Sequence, residues 1–387
     1  MTSQAIPENI SPEFQRLIDQ GDDIKEESLA QAIPKKLYQP RLGRGMVSLG
    51  CNLAVYLGAL VAIAIAPHWI FYPFLFLVAG LGGWGLFCIA HDCGHNSFSK
   101  SRHLNYSIGH IVLIPLLYPF HGWRHMHNMH HANTNSLEKD TDWRPVFRSQ
   151  YERMSWREKL VYNSTRSWLF WLGTVNYQRH SGFRFNMFAK RDARNDVRRS
   201  ILFVTVVAAI LFPSLLYFTG IKGLLLYFVG PWLGIHAWFS LTTMMHHVGD
   251  ETPFVSKDYW SMNASRLLLT TDYMYPKWLL FLTNYISVHT AHHVAPIIPH
   301  YNLPQAQQAL NNAFPGLLRI KPFKWQDVWH VICHCHLFDP TTGYYQSFND
   351  KENNPQINWK ASTVNGLSVL SIERAGRMAA DIFGNTR

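Results

Sequence analysis

Long uncharged stretches alternate with polar intervals along the chain. Two apolar runs, 46–66 and 71–90, stand close together, and two more, 201–220 and 224–245, follow a long polar interval. Each run has about 20 residues, the length that an α-helix needs to cross roughly 30 Å of hydrocarbon. The pattern therefore predicts four transmembrane helices arranged as two hairpins.

Polar segments flank and separate the two hairpins. Residues 1–45 form a polar arm, residues 46–345 carry the hairpins with the intervals between them, and residues 346–387 form a polar tail. Lys and Arg are dense on the flanks and sparse in the hairpin turns, as in "KRDARNDVRR" at 190–199. By the positive-inside rule, we expect the flanks and both termini on the cytosolic side. The sequence thus predicts an all-α, multi-pass integral membrane protein with a cytosolic helical cap.

The composition supports a membrane setting. Charged residues make up 16% of the chain, against roughly 25% in soluble domains, and apolar residues make up 48%. The net charge of +10 comes without any aromatic-and-basic motif of an RNA- or DNA-binding module. We therefore expect no nucleic-acid partner and attribute the charge to attraction to anionic lipid head groups.

Histidines are concentrated in three short segments, "HDCGH" at 91–95, "HMHNMHH" at 125–131 and "HTAHH" at 289–293. Residues spaced i, i+3 and i+4 lie on one side of a helix, so each segment is predicted to present its imidazoles together. This spacing selects eight candidate metal ligands: His91, His95, His127, His130, His131, His289, His292 and His293. A ninth candidate is His246, or its neighbour His247, where the fourth apolar run ends on the same side of the membrane.

The number of histidines limits which kinds of metal site are plausible. Imidazole binds Fe, Cu, Zn and Ni, so the ligand type alone does not name the ion. One zinc takes three or four ligands, whereas eight or nine histidines suffice for two metal ions with positions left for a substrate such as O₂. We assign His125, His236 and the "HVICHCH" segment at 330–336 to packing, because they lie outside the helical sets or lack a remote second pair.

These segments resemble the three histidine boxes of the membrane fatty acid desaturases. The strings "HDCGHNSF", "HNMHHANTNSLEKDTDWRP" and "HTAHHVAPIIPHYNL" are most similar to acyl-lipid Δ12 (omega-6) desaturases of cyanobacteria and plants. The resemblance spans about residues 80–340, and it implies two iron ions held by the nine histidines, with His246 as the ninth. Thr242 stands where some acyl-CoA members carry an asparagine, which argues against that branch.

The resemblance also implies a reaction and its partners. A lipid acyl chain would receive a cis double bond, with O₂ as co-substrate. The sequence has neither a glycine-rich dinucleotide fingerprint nor a His-Pro-Gly-Gly haem motif, so we expect an external electron donor, either ferredoxin or cytochrome b5. An apolar tunnel should hold the acyl chain, and Trp123, Phe98 and Tyr301 are candidates for its lining.

Carboxylates near the boxes are candidate partners for the ligating histidines. A metal-bound imidazole usually donates its other N–H to a carboxylate or a carbonyl. The sequence offers Asp92 and Asp140 for this role, and then Glu138 and Asp142.

Two other functions stay open at this stage. A hydroxylase or ketolase of the same di-iron class, acting on a lipid, carotenoid or alkane, would carry the same boxes. A membrane metal transporter would carry ionisable ligands near the middle of its spans, whereas these clusters fall at the span ends. The oligomeric state is also open, a homo-oligomer included.

Overall fold

Most of the chain is helical in the computed structural model, which describes residues 19–20, 23–249, 252–255, 260–339 and 344–350. The predicted arm is thus described in part, and the predicted tail beyond residue 350 lies outside the described residues. The helices are α1 Glu26–Ala32, α2 Leu42–Ile65, α3 Tyr72–Gly94, α4 Arg102–Val112, α5 Phe120–Ala132, α6 Arg148–Glu152, α7 Trp156–Arg166, α8 Gly173–Phe183, α9 Arg191–Leu224, α10 Gly230–His247, α11 Met262–Leu268, α12 Lys277–Leu282, α13 His289–Val294, α14 Leu303–Ala313 and α15 Trp325–His334.

Within the described residues, three continuous helical segments are long and apolar enough to cross a membrane. They are Leu42–Ile65, Trp69–Gly94 and Arg191–His247. Each begins before the apolar run that predicted it, by two residues in the second segment and by more in the first and third, where the helix continues into basic residues. The third segment covers both the 201–220 and the 224–245 runs.

That third segment folds back on itself. Its 57 residues would reach about 85 Å as one straight helix at 1.5 Å per residue. Gly220 instead has φ +62° and ψ −170°, and a π-helical turn follows at Leu225–Val229. The rings of Phe212 and Phe228 lie 5.0 Å apart, whereas about 24 Å would separate residues with this spacing in a straight helix. The chain therefore turns back after α9, and the π-helical turn packs against that helix.

Helix α3 lies at the centre of the apolar helices. Two thirds of its apolar window is buried, 67%, against 28% for α2. Two glycines allow this close packing. A Cβ on Gly80 would lie 2.3 Å from the carbonyl carbon of Gly234 in α10, and one on Gly82 would lie 2.6 Å from the backbone nitrogen of Tyr56 in α2. Small residues commonly let membrane helices approach this closely.

The outer faces of these helices are apolar and exposed. Ile65 at the end of α2 is 75% exposed, and Ile210 and Phe218 of α9 are 65% and 78% exposed. Apolar patches of this extent mark surfaces that contact lipid or another protein. Together with the length of the helices, they indicate a membrane-associated protein.

Among the described residues there are five short strands that the all-α prediction missed. These are β1 Val146–Phe147, β2 Thr271–Met274, β3 Arg319–Pro322, β4 Leu337–Asp339 and β5 Tyr344–Gln346. Strands β1, β4 and β5 form one sheet, and β2 pairs in parallel with β3 in another. Strands of two to four residues are too short for a period-two pattern to appear in the sequence. Strand β2 nevertheless contributes to the histidine site.

Candidate metal centre

The first histidine segment lies where α3 ends. His91 occupies the last turn of α3, and His95 follows its final residue, Gly94. Both histidines are buried, and their ring centroids lie 4.9 Å apart. Asn96 then adopts a left-handed backbone with φ +57°, which turns the chain away from the helix axis. The end of a central helix thus brings two imidazoles into the interior.

The other two segments lie on helices, as their spacing predicted. Helix α5 carries His127, His130 and His131, and the six-residue helix α13 begins at His289 and carries the third segment. All six of these histidines are buried. The ring centroids within each set of three lie no more than 5.8 Å apart, but the structure divides each set between two groups.

Each of these two helices supplies histidines to two separate groups. In α5, His131 Nε2 lies 3.0 Å from His127 Nε2 and 3.0 Å from His292 Nε2 of α13. His130 comes three residues after His127, so it lies about 60° away around the helix and belongs to the second group. The first group comprises five buried histidines whose ligand atoms lie within 4.8 Å of one another: His91, His95, His127, His131 and His292.

The second group comprises His130, His247 and His293. His130 Nε2 lies 3.2 Å from His247 Nε2. His289 adjoins the group, with its Nε2 2.8 Å from His247 Nε2 and 3.0 Å from His293 Nε2. In both helices the i, i+4 pair stays together and the middle histidine joins the other group.

His246, the predicted ninth ligand, lies beside the second group. Its Nδ1 lies 2.8 Å from the carbonyl oxygen of Thr271 in β2, and its ring stacks on His289 at 4.3 Å. Its Nε2 is buried and has no hydrogen-bond partner among the described residues. His246 stays a predicted ligand, and the geometry makes its neighbour His247 a second candidate for the same ion.

Contacts from outside fix the orientation of the second group. Asp140 Oδ1 lies 2.7 Å from His130 Nδ1, and both side chains are buried. The backbone N–H of Asn135 donates to Asp140 Oδ2 at 2.6 Å. Thr134 Oγ1 lies 3.0 Å from His293 Nδ1. Contacts at Nδ1 leave Nε2 free to point into the group, which is how outer partners usually orient metal ligands.

The remaining proposed carboxylates take other positions. Asp92 accepts from His300, whose Nδ1 lies 2.7 Å from Asp92 Oδ2 and whose Nε2 lies 2.9 Å from Ser48 Oγ. Asp92 therefore links α3 to α2 and to the segment after α13 and does not contact a box imidazole. Glu138 is exposed, and the backbone N–H of Asp142 donates to Asp140.

A further carboxylate, Asp272 in β2, escaped the sequence analysis. It accepts from the backbone N–H groups of His289 and Thr290 at the start of α13, the latter at 2.8 Å. Gln307 donates to Asp272 and accepts from the N–H of Ala291 at 3.0 Å. Burial raises the pKa of Asp272 to about 6, although these hydrogen bonds lower it. Asp272 precedes the third segment by 17 residues, and no local motif links the two.

Burial keeps most of these imidazoles neutral. It lowers the pKa of His95 to about 3, with Arg124 adding to the effect. Burial, followed by repulsion from neighbouring histidines, also lowers the pKa of five others: His127, His131, His289, His292 and His293. A neutral imidazole has the free lone pair that a metal requires.

His130 differs from the other box histidines. Burial lowers its pKa, but the carboxylates of Asp140 and Asp142 outweigh that effect and raise the pKa to about 9. A metal ion that binds His130 would therefore have to displace a proton whose binding is stabilised by the carboxylates of Asp140 and Asp142.

These residues fit a metal site. His91 Nε2, His95 Nε2 and His246 Nε2 are buried without a hydrogen-bond partner among the described residues. An unpaired buried polar group costs about 1–3 kcal/mol, which coordination would offset. Neutral imidazole is a donor that Fe, Cu, Zn and Ni all accept. The donor type, the burial and the division into two groups all match metal binding.

An aromatic cavity with about 460 Å³ of empty space adjoins both groups. Its apolar wall is formed by Trp84, Phe87, Trp123, Phe239 and Ile286. The histidines that line it are His91, His127, His130, His246, His247 and His289. Of the three aromatic residues expected to line a tunnel, Trp123 is present, whereas Phe98 and Tyr301 lie outside this wall. The cavity places an apolar wall beside the histidines.

The histidines assigned to packing lie outside both groups. His125 Nε2 lies 3.9 Å from the Asp196 carboxylate. His236 lies between Thr174 Oγ1 and Gln178 Oε1, each at 2.8 Å. In the "HVICHCH" segment, His336 Nε2 lies 2.8 Å from the carbonyl oxygen of Ile332. In the described part of the chain, none of them belongs to a cluster that could hold a metal ion.

Apolar helices that end at buried clusters of histidines fit a membrane-associated protein with a metal site, and comparison with known proteins identifies its family. A family model described as fatty acid desaturase matches residues 67–322. The sn-1 oleoyl-lipid 12-desaturase of Picosynechococcus sp. is 34% identical over 336 residues, which cover 87% of this chain and 96% of the relative. The enzyme of the same name from Synechocystis sp. is 34% identical, with coverages of 83% and 91%.

A plant relative gives a similar result. The chloroplastic omega-6 fatty acid desaturase of Spinacia oleracea is 31% identical, with 84% of this chain and 72% of the relative covered. The chain belongs to the fatty acid desaturase family, and it is an oxidoreductase.

Proposed function

We propose that this protein is an O₂-dependent di-iron desaturase that introduces a cis double bond at Δ12 of an oleoyl chain esterified in a membrane lipid. The observation that carries the proposal is the pair of histidine groups beside an aromatic cavity. The Δ12 position and the lipid-linked substrate are supported by relatives named oleoyl-lipid 12-desaturase and omega-6 desaturase.

The reaction removes one hydrogen from each of two neighbouring carbons. One O₂, two electrons and two protons enter, and the two hydrogens leave with them in two molecules of water. Two bound irons would supply the oxidising power toward an unactivated methylene that no side chain possesses. The two histidine groups would hold one ion each, with His246 or His247 completing the second site.

The protein's own residues position the substrate and exclude water. Trp84, Phe87 and Phe239 form a stacked aromatic wall, with ring centroids 4.3 to 5.2 Å apart. Such a wall favours an apolar chain over solvent. Trp123 stacks on His127 at 4.9 Å and so keeps this imidazole in place beside the chain. Holding the two reacting carbons in one fixed position favours removal of the second hydrogen over hydroxylation at the first carbon.

We further propose four membrane crossings, with the histidine groups and both termini on the cytosolic side. The fold-back at Gly220 supports two crossings in Arg191–His247. Helices α3 and α10 end at the same groups, and the start of α2 lies on that side as well, because the carbonyl oxygen of Arg41 lies 3.3 Å from the Tyr301 hydroxyl. The basic flanks of the spans lie at this end, which the positive-inside rule assigns to the cytosol.

The two electrons would come from a separate protein, ferredoxin or cytochrome b5. Acidic donors of this kind are attracted to basic surfaces, and such attraction weakens as salt screens it. The test is turnover with each donor over a range of ionic strength. A rate that falls as salt rises supports docking on the basic cytosolic side, and a salt-independent rate contradicts it.

The decisive experiment is expression in a host whose only unsaturated lipid chains are oleoyl, with double-bond positions mapped by mass spectrometry. We expect a diene with double bonds at carbons 9 and 12. His130→Ala is the inactive control, and His125→Ala is the matched histidine variant that should still produce the diene. A hydroxylated chain would instead identify a hydroxylase of the same class. No new product, despite bound iron and a competent donor, would refute the proposal.

A further inference from the structure

A second, larger cavity lies next to the aromatic one. It encloses about 1140 Å³ of empty space, open to solvent in part, and its lining is mixed, with more polar surface than the lining of the first cavity. Four residues line both cavities: Asp142, Tyr177, Phe239 and Thr243. The two spaces therefore meet at one shared wall, with the histidine groups beyond the first cavity. A molecule with an apolar tail and a polar end would fit these two neighbouring cavities, with its tail in the first and its polar end in the second.

Helix α7 separates this second cavity from an exposed apolar face. Its N-terminus is fixed by a capping box, in which Ser155 and Glu158 exchange hydrogen bonds with each other's backbone N–H groups. Trp156 and Leu160 are 69% and 59% exposed on one side. Tyr162, Thr165 and Arg166 line the cavity on the other side. Exposed Trp and Leu on one face of a short helix are typical of a helix lying at the membrane interface.

Arg166 is a residue of this cavity with an unmet hydrogen-bonding capacity. It is 93% buried, since its exposed fraction is 7%, and its Nη1 has no partner among the described residues. Its Nη2 donates to the carbonyl oxygen of Trp143 at 2.5 Å, and its guanidinium lies 5.5 Å from the Tyr162 ring centroid. These contacts hold the guanidinium of Arg166 in place, and its Nη1 still lacks a hydrogen-bond acceptor.

The other arginine of this cavity is already satisfied. Arg144 Nη1 donates to the carbonyl oxygens of Leu137 and Glu138 at 3.1 and 2.9 Å. A buried guanidinium nitrogen without an acceptor is costly, and a ligand that brings an oxygen to Arg166 would remove that cost. Arginine suits this task because it cannot lose its charge and presents its donors in a rigid plane.

We propose that the second cavity binds the polar part of a glycerolipid, with Arg166 Nη1 donating to an ester carbonyl or phosphate oxygen. The lipid enters beside α7, and its acyl chain passes the shared wall into the aromatic cavity. This inference deepens the proposed function, on which it rests, because it assigns to the same site a means of selecting lipid-linked chains. Arg166 is a substrate-binding residue and takes no part in the chemistry.

The test measures binding to purified, iron-loaded full-length protein by isothermal titration calorimetry. Three probes separate the sources of the acceptor oxygen: dioleoylphosphatidylglycerol, dioleoyl monogalactosyldiacylglycerol, which has esters but no phosphate, and cis-9-octadecene, which has no oxygen. We expect Arg166→Gln to weaken binding of the phospholipid roughly tenfold or more, since a hydrogen bond to a charged group is lost. Octadecene binding should change less than about twofold.

The galactolipid locates the contact. A matching loss for the galactolipid means that Arg166 binds the ester, and a loss confined to the phospholipid means that it binds the phosphate. Thr165→Leu, which leaves Arg166 intact and narrows the cavity, should weaken both lipids without affecting octadecene. The control is Arg157→Gln, the same change on the exposed side of α7, which should bind all three probes as the unmodified protein does.

The outcomes that overturn the inference are distinct from failure of the proposed function. If Arg166→Gln and Thr165→Leu keep normal iron content and melting temperature and also bind both lipids normally, the cavity is not the lipid site. The same holds if octadecene binding falls as much as lipid binding. Binding that depends on Arg166, without any new double bond, would instead uphold the site and refute desaturation.

Discussion

The two histidine groups are built alike in ligand type and differently in their surroundings. In the described part of the chain, the ring nitrogens of the first group make hydrogen bonds only between its own histidines. The second group is held from outside, by Asp140 at His130 and by Thr134 at His293. The first group has five histidines and the second has three with His289 beside them.

This difference indicates in which group the surrounding residues can adjust the metal affinity. A carboxylate that accepts from an imidazole raises its basicity and fixes its orientation. Among the described residues, only the second group has such a carboxylate. The first group depends on packing against its neighbours. We therefore expect substitutions around the second group to change metal affinity gradually, whereas the first group should respond mainly to loss of a ligand.

The largest expected effect is loss of a box histidine. His131→Ala in the first group and His130→Ala in the second should each abolish formation of the double bond, with iron falling from about two ions per chain to about one or fewer. Lipid analysis and elemental analysis of the purified protein measure both. His125→Ala, a change on the same helix outside both groups, should retain activity and iron. An active His130→Ala enzyme would contradict the assignment of the second group.

The next effect separates two adjacent histidines of α10. His247→Ala should remove the ion of the second group, because His247 Nε2 lies 3.2 and 2.8 Å from the Nε2 atoms of His130 and His289. His246→Ala should reduce iron content less, because the ligand atom of His247, and not that of His246, clusters with those of His130 and His293. Iron content of the two variants decides between them. A greater loss with His246→Ala would make His246 the ninth ligand, as the resemblance implied.

A smaller effect is expected at the carboxylate. Asp140→Asn keeps the size of the side chain but removes the charge that supports His130, and such changes typically weaken metal binding 10- to 100-fold. Competition with a chelator measures the change. Glu138→Gln makes the same chemical change at an exposed position two residues away and should have no effect. Equal chelator resistance in Asp140→Asn and the unmodified protein would show that Asp140 does not support metal binding by His130.

The smallest effect is expected at Thr134. Thr134→Val preserves the shape of the side chain and removes the hydroxyl 3.0 Å from His293 Nδ1. The loss of one hydrogen bond, about 0.5–1.5 kcal/mol, corresponds to a few-fold weaker affinity for the second ion. The same chelator titration tests it, with Thr219→Val on the exposed part of α9 as control. Weakening of the first ion alone would reverse the comparison between the groups.

The sequence located most of the candidate site because its signals were local. The three histidine segments are each contained in a few residues, and helical spacing placed them on helices. The division of each segment between two groups was not predictable, because it depends on how α5 and α13 face each other. The contacts of Asp272 and His300 were missed for a similar reason, since each joins segments that are distant along the chain.

The sequence also predicted the fold in part, as it did the histidine site. Apolar runs of about 20 residues located the long helices, because the bilayer requires that length. Their exact ends were not predictable, since a helix continues into water where no apolar pattern marks it. The strands escaped prediction because pairing between β2 and β3 joins residues 48 positions apart, Thr271 with Arg319.

The crossed contribution of α5 and α13 has a consequence for how the protein acquires iron. An ion in the first group holds His131 of α5 and His292 of α13, and so it brings His130 and His293 into place for the second ion before that ion arrives. Uptake of the two ions should therefore show positive cooperativity, with the first ion lowering the entropic cost of binding the second. At limiting iron, the population should divide into empty and fully loaded molecules, with few that contain a single ion.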